Sequence, residues 1–467
     1  MSLDSAEKRA KKGSSPALLL IPLLILAAVG AVLWRLHEGE PPQITFAHEP
    51  QFLGSKSTIS FKASDAKSGL ASLHVALIQG QKTADVYDQK LERRGWFSSA
   101  GPNVLEASFQ VEPKTLGFAQ GNAELVVTAH DFSWRNFRRG NVTTLTIPVV
   151  IDTRPPLVSV LNATRYIRNG GSGVVVYRTD EPAGRHGVVV NDNFNPGYPL
   201  AGQPENTYVA YVAVPHQADS VNAYVTAVDK AGNEARVPVP FIFKKKEYRN
   251  DTLEISDSFL NSKMPEFQAH YDLSGTPVEQ FIEVNNRVRK ENNAKIKEVC
   301  SISTSERLWK GAFLQMARSS RRAGYADHRT YTYQGKEIDN QYHLGLDLAS
   351  TAHANVDASN RGKVVFADYL GIYGNAVILD HGQGVFSLYG HMSQIKVKVG
   401  DLVEQGGLLG QSGFTGMAGG DHLHFSILVN GLFVDPVEWL DPHWLQVSID
   451  DFVKPAAAQA AAGQPAS

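Results

Sequence analysis

Cysteine is nearly absent from this chain of 467 residues, and the one thiol, Cys300, excludes any intrachain disulfide and any cysteine-rich zinc site. An excess of charge is missing too. With 45 basic residues against 47 acidic ones, nothing favours nucleic acid as the main partner. No His-Glu-x-x-His segment occurs, which removes a helix-borne two-histidine zinc site. The length rules out one ordinary core and calls for roughly two to four domains.

What the chain does have begins with an uncharged apolar run, Ala17–Trp34. Its 18 residues as a helix would cover about 27 Å, near the thickness of a bilayer core. Lys8, Arg9, Lys11 and Lys12 precede it, and Glu38 and Glu40 follow. The positive-inside rule then predicts a cytoplasmic segment 1–16 and a single-pass anchor over 17–35. The bulk of the chain would lie in the periplasm or cell-wall space. The competing expectation is a cleaved signal peptide, with Ala28, Gly30 and Ala31 offering small residues for cleavage.

From Pro41 to about Phe243 short alternating segments such as "STISFKAS", "AELVVTAH", "GVVVYR" and "VNAYVTAV" read as strands separated by turns. "AELVVTAHD" and "VNAYVTAVD" match one another, and their terminal Asp131 and Asp229 are 98 residues apart, the size of one immunoglobulin-like sandwich. Two tandem β-sandwiches are expected, over 41–153 and 154–245, joined by the stiff "DTRPP". "SDAKSG" and "DKAGN" resemble the turns of bacterial immunoglobulin-like repeats. No chemistry is visible in this half, which reads as a spacer or binding module. A helical linker over 246–304 follows, with Phe281, Val284, Val288 and Ile296 forming one apolar stripe. Residues 305–445 return to strands and glycine turns, predicting an antiparallel β-sheet domain, and 446–467 form a low-complexity tail. The fold class is mainly β.

Four of the 15 histidines stand out in the last domain. "YHLGLDL" spaces His343 and Asp347 four apart, "YGHM" ends a strand on His391, and "DHLHF" sets His422 and His424 two apart. On strands, even spacing puts each pair on one face, and Gly345 leaves room between His343 and Asp347. A hydrolytic zinc site needs about three protein ligands and one open position for water. These five residues exceed that number, and spacing alone does not say which histidines bind and which move protons.

In combination and in order, "HLGLD", "YGHM", "KVGDLVEQGGLLGQSGFTG" and "GGDHLHF" resemble the lysostaphin-type, or LytM-domain, zinc metallo-endopeptidases. The resemblance covers about 305–445 and extends to "NGLFVDP". It implies one zinc ion per chain held by His343, Asp347 and His424, with His391 and His422 as the catalytic pair. It also implies peptidoglycan as substrate, by hydrolysis of peptide crosslinks, with D-alanyl–diaminopimelate bonds as the expected target. The sandwiches would offer surfaces to cell-wall machinery, and part of 245–330 would occlude the cleft as a latency device. Two loops depart from the family pattern: "ASTAHANVDASNRGKVVFA" lacks a Gly-x-Pro turn, and "GMAGG" replaces "STG". Both bear on substrate detail. His381 reads as structural support and His353 as a loop residue. The alternative is a non-enzymatic regulator of wall hydrolases, or a scaffold, built on the same domain.

Overall fold

The computed structural model describes residues 17–95 and 100–454. The basic segment 1–16 and the end of the tail, 455–467, lie outside the described residues. Ala17–Leu36 is helical, and its side chains are described from Leu20 to Trp34. No helix among the described residues is long and apolar enough to cross a membrane. The membrane anchor over 17–35, and with it the single-pass placement of the chain in the periplasm or cell-wall space, are corrected on that finding.

The chain divides into two compact units, one running to Pro155 with Lys230–Asn233, the other formed by Pro156–Asp229 and the residues from Glu234 onward. In the first, a three-stranded sheet (Gln43–Thr45, Ser57–Ser64, Val104–Val111) faces a five-stranded one built around Gly121–Asp131 and Leu70–Gln79. Alternation explains the pairing. Ile59, Phe61 and Ala63 point inward from one sheet and meet Leu73, Leu125 and Val127 from the other, while the residues between them stay exposed.

The second unit opens with two four-stranded sheets, one containing Ser172–Thr179 and Thr207–Ala213, the other Arg185–Val190 and Ala223–Val228. Val175, Tyr177, Ala210 and Val212 fill the space between them. The opposite face of the first sheet is buried as well. Val174, Val176, Val209, Tyr211 and Ala213 join one continuous core with the rest of the unit. That core includes Phe281, Val284, Val288 and Ile296, all fully buried, from the expected linker. The helix there is interrupted by a π-turn at Val284–Val288 between Pro277–Glu283 and Arg289–Val299.

An eight-stranded sheet dominates the C-terminal part. Leu346–Ala349, Leu423–Val429, Val385–Met392 and Asn375–Asp380 are consecutive antiparallel neighbours within it. Order continues beyond residue 445, because Gln446–Asp450 and Asp451–Val453 are helical turns and Ile449 is fully buried.

Candidate metal centre

The ladder between Leu346–Ala349 and Leu423–Val429 pairs Asp347 directly with His424, and the next ladder pairs His424 with Gly390. Cross-strand partners bring their side chains within contact distance. Three strands therefore deliver Asp347, His424 and His391 to one end of the sheet. His343 arrives differently. It follows the strand Lys336–Tyr342, which belongs to a separate three-stranded sheet, and the chain bends at Gly345 before Asp347. The single extended strand expected over 343–347 is thus replaced by a bend. Gly345 is needed there because a Cβ would lie 2.6 Å from His424 Nε2. The close approach is between an imidazole and bare backbone.

Ligand atoms of His343, Asp347 and His424 converge within 4.8 Å of one another. His343 Nε2 lies 2.9 Å from Asp347 Oδ1 and 3.0 Å from His424 Nδ1, and His424 Nδ1 lies 3.2 Å from the same carboxylate oxygen. Outer partners assign the protons. His343 Nδ1–H donates to Gly324 O at 2.7 Å, and a carbonyl can only accept. Ser426 gives its hydroxyl hydrogen to Leu344 O at 2.9 Å, so its oxygen accepts from His424 Nε2–H at 3.0 Å. The inner nitrogens of both rings consequently turn lone pairs toward each other and toward a carboxylate. Such a group is repulsive unless a cation sits among its members, and two imidazoles with one carboxylate suit zinc. These residues fit the metal.

Asp347 has a further partner that the sequence did not signal. Arg329 Nη2 donates to its Oδ2 at 2.9 Å. Arg329 stands 18 residues upstream on another sheet, so no local spacing marks it. Ser426 was legible in principle, continuing the alternation His422, His424 on one face.

His391 and His422 flank this group, with ring centroids 4.8 Å apart. His391 Nδ1–H donates to Thr415 O at 2.8 Å and His422 Nδ1–H to Gly420 O at 2.8 Å, leaving each Nε2 with its lone pair. His422 Nε2 is 3.4 Å from Asp347 Oδ1. Burial, then the neighbouring His422 and His424, keep the His391 pKa well below that of a free imidazole. Burial also acts against the His422 imidazolium, but its contact with Asp347 outweighs that and raises its pKa. His391 has φ of 62°, a left-handed conformation unusual for a residue with a Cβ, and such strain gathers at functional sites.

The structure sets the other two histidines apart from this group. His381 is fully buried, with Nδ1–H donating to Arg361 O and Nε2 bonded to the Ser387 hydroxyl, each at 2.7 Å. His353 is exposed in a turn. A cleft of about 740 Å³ opens over the five residues. Its far wall comes from the expected linker, including Ile255, Phe259 and Lys263. Lys263 Nζ donates to Phe414 O, and Glu266 accepts from Gly416 N at 2.6 Å, fastening that wall to the loop before the histidine pair.

Residues 341–436 match the model of peptidase family M23. The chain is 40% identical over 95 residues to the DD-carboxypeptidase/endopeptidase Mpg of Neisseria meningitidis serogroup B, covering 20% of this chain and 22% of that protein. It is 35% identical over 96 residues to the murein hydrolase activator EnvC of Escherichia coli K12, covering 21% and 23%. The catalytic domain of lysostaphin from Staphylococcus simulans is 30% identical, covering 28% of this chain and 98% of that domain, with a TM-score of 0.25. The chain thus spans between a fifth and a quarter of the length of these two curated relatives. The C-terminal part of this protein is a peptidase family M23 domain of the LytM type.

Proposed function

We propose that this protein is a zinc-dependent endopeptidase that hydrolyses peptide crosslinks of peptidoglycan. The observation that carries the reading is the convergence of two imidazole lone pairs and one carboxylate within 2.9–3.2 Å, each imidazole held by an acceptor on its outer nitrogen. His343, Asp347 and His424 would hold the ion. When bound, zinc supplies Lewis acidity and brings the pKa of a water toward neutrality.

The remaining steps belong to the chain's own side chains. The Nε2 atoms of His391 and His422 offer lone pairs at the rim of the cleft, placed to accept a proton from the attacking water and return it to the leaving amine. Their Nδ1–H bonds to Thr415 O and Gly420 O fix both ring orientation and tautomer. Arg329 keeps the second oxygen of Asp347 occupied, so that Oδ1 faces the site. The cleft walls formed by Phe259, Lys263 and Tyr373 would exclude bulk water from a bound peptide.

The Mpg relative, whose name includes an endopeptidase activity, supports this reading. The EnvC relative, named as an activator of murein hydrolases, supports a second one, in which the domain regulates other enzymes. The presence of both histidines of the proposed catalytic pair favours the enzyme. Digestion of purified peptidoglycan by the zinc-loaded full chain, with mass analysis of the products, separates the two. His343→Ala or Asp347→Ala is expected to remove most of the bound zinc and all cleavage. His391→Ala and His422→Ala are expected to retain zinc while losing about 10²–10⁴-fold in rate. Cleavage at the wild-type rate by the last two sinks the division of roles, and no cleavage by the wild type supports the regulator.

A further inference from the structure

The first unit holds a group of carboxylates for which the proposed hydrolysis has no use. Glu38, Asp65 and Asp131 each offer one oxygen, and these atoms lie within 4.8 Å of one another. The residues are 6%, 5% and 3% exposed. They come from three places: Glu38 precedes the first strand, Asp65 follows Ser57–Ser64, and Asp131 ends Gly121–Asp131. Packing, not local sequence, gathers them. Three carboxylates away from water repel one another and need compensation. None of the three forms an ion pair with a Lys or Arg among the described residues; nearby Lys67 pairs instead with exposed Glu40, at 2.9 Å.

Two of the carboxylates are well supplied with donors. Asp65 Oδ1 accepts from Gly69 N at 2.6 Å and Lys67 N at 3.2 Å. Asp131 Oδ1 accepts from Asn141 N at 2.7 Å and Ser133 N at 3.0 Å, and its Oδ2 accepts from Asn141 Nδ2 at 2.7 Å. Glu38 is different. Its Oε1 accepts from the Ser68 hydroxyl at 3.1 Å, but Oε2 is buried with no hydrogen-bond partner. An orphaned, buried carboxylate oxygen set against two further carboxylates points to a missing positive charge.

We propose that Glu38, Asp65 and Asp131 form a binding site for a hard divalent cation, Ca²⁺ by the chemistry of its donors. All three ligands are carboxylate oxygens, which Ca²⁺ takes in sets of six to eight with waters and carbonyls at about 2.3–2.6 Å. Backbone N–H groups already fix two of the carboxylates, so little ordering remains to be done on binding. The third belongs to the segment that enters the sandwich, whose Glu38 carbonyl also accepts from Asn141 Nδ2 at 3.2 Å and Ser133 Oγ at 3.4 Å. The ion would clasp this entry segment to the end of the sheet. Weak calcium sites in protein modules bind at about 10⁻⁴–10⁻³ M.

The test is calorimetric titration of the zinc-loaded full chain with CaCl₂ at pH 7.5, with thermal unfolding in parallel. Wild type should take up one Ca²⁺ that both Glu38→Gln and Asp131→Asn lose, and calcium should raise the melting temperature of the first unit only in wild type. Glu38→Gln removes repulsion without removing a fold contact, so in calcium-free buffer it should melt at or above wild type, separating lost binding from misfolding. Its cleavage of peptidoglycan should be unchanged. Equal calcium uptake by wild type and both variants overturns the proposal. So does a wild-type melting temperature that responds to acidification but not to calcium, since the carboxylates would then hold only a proton.

Discussion

The two sandwiches carry matching strands, Gly121–Asp131 and Ala223–Val228, yet their outer surfaces meet different fates. Ser57–Ser64 in the first alternates buried and exposed residues, as a sheet with one wet face should. Ser172–Thr179 in the second is buried at every position but Arg178. Its outer face carries Tyr211 from the neighbouring strand against Trp309 and Trp439, with ring centroids 6.0 and 6.5 Å away. Ser172 accepts from Trp439 Nε1 at 2.9 Å, and its backbone N–H donates to Glu438 Oε2 at 3.0 Å. The second repeat shares its core with the peptidase domain, while the first encloses a core of its own.

The largest test of this contrast is deletion. Removing 41–153 should leave zinc content and peptidoglycan cleavage close to wild type. Removing 154–245 should abolish both, because it strips Val174, Val176, Val209 and Tyr211 from the shared core. An active protein lacking 154–245, with native near-ultraviolet circular dichroism, would break the comparison.

Point substitutions sharpen it. Tyr211→Ala and Phe61→Ala each empty a buried aromatic site and should cost about 3–5 kcal/mol. Only Tyr211→Ala should lower the temperature at which cleavage is lost, since Phe61 lies wholly within the first core. Equal loss of thermal activity in both variants would mean that the two units unfold as one.

The smallest expected effect is a divergence with pH, measured by calorimetry in calcium-free buffer. Burial, then Asp65 and Asp131, push the Glu38 carboxyl up to about 7, while the unfolded chain releases that proton near 4.5. The first unit should thus gain stability as pH falls from 7 toward 4.5. In the second unit, burial holds His381 down to about 4 and His216 likewise, against 6.5 when unfolded. Folding there excludes protons, and stability should fall as pH drops from 6.5 toward 4. Glu438, raised by burial to about 7, opposes part of that loss. Transitions moving in the same direction would contradict the assignment of these groups.

Much of the site was legible because alternation is a local property. "DHLHF" had to put His422 and His424 on one face, and the structure keeps them so, with Leu423 turned into the core. The even spacing of His343 and Asp347 implied that they meet, but through one flat strand, whereas a bend at Gly345 brings them together. The first sandwich was read as empty of chemistry because Glu38, Asp65 and Asp131 share no spacing.

The sequence by itself determined the strand-rich character of the chain, the apolar stripe Phe281–Ile296, and the histidine pair with its M23-like surroundings. These follow from backbone periodicity and short motifs, which act over a few residues. Tertiary structure alone decided that Asp347 faces His424 across a ladder, that Arg329 holds the same carboxylate, and that one sheet of the second sandwich is buried on both faces. It also decided that Glu38 is left with an unpartnered oxygen. Those features depend on which distant segments pack together, and burial turns each such meeting into an energetic demand for a partner.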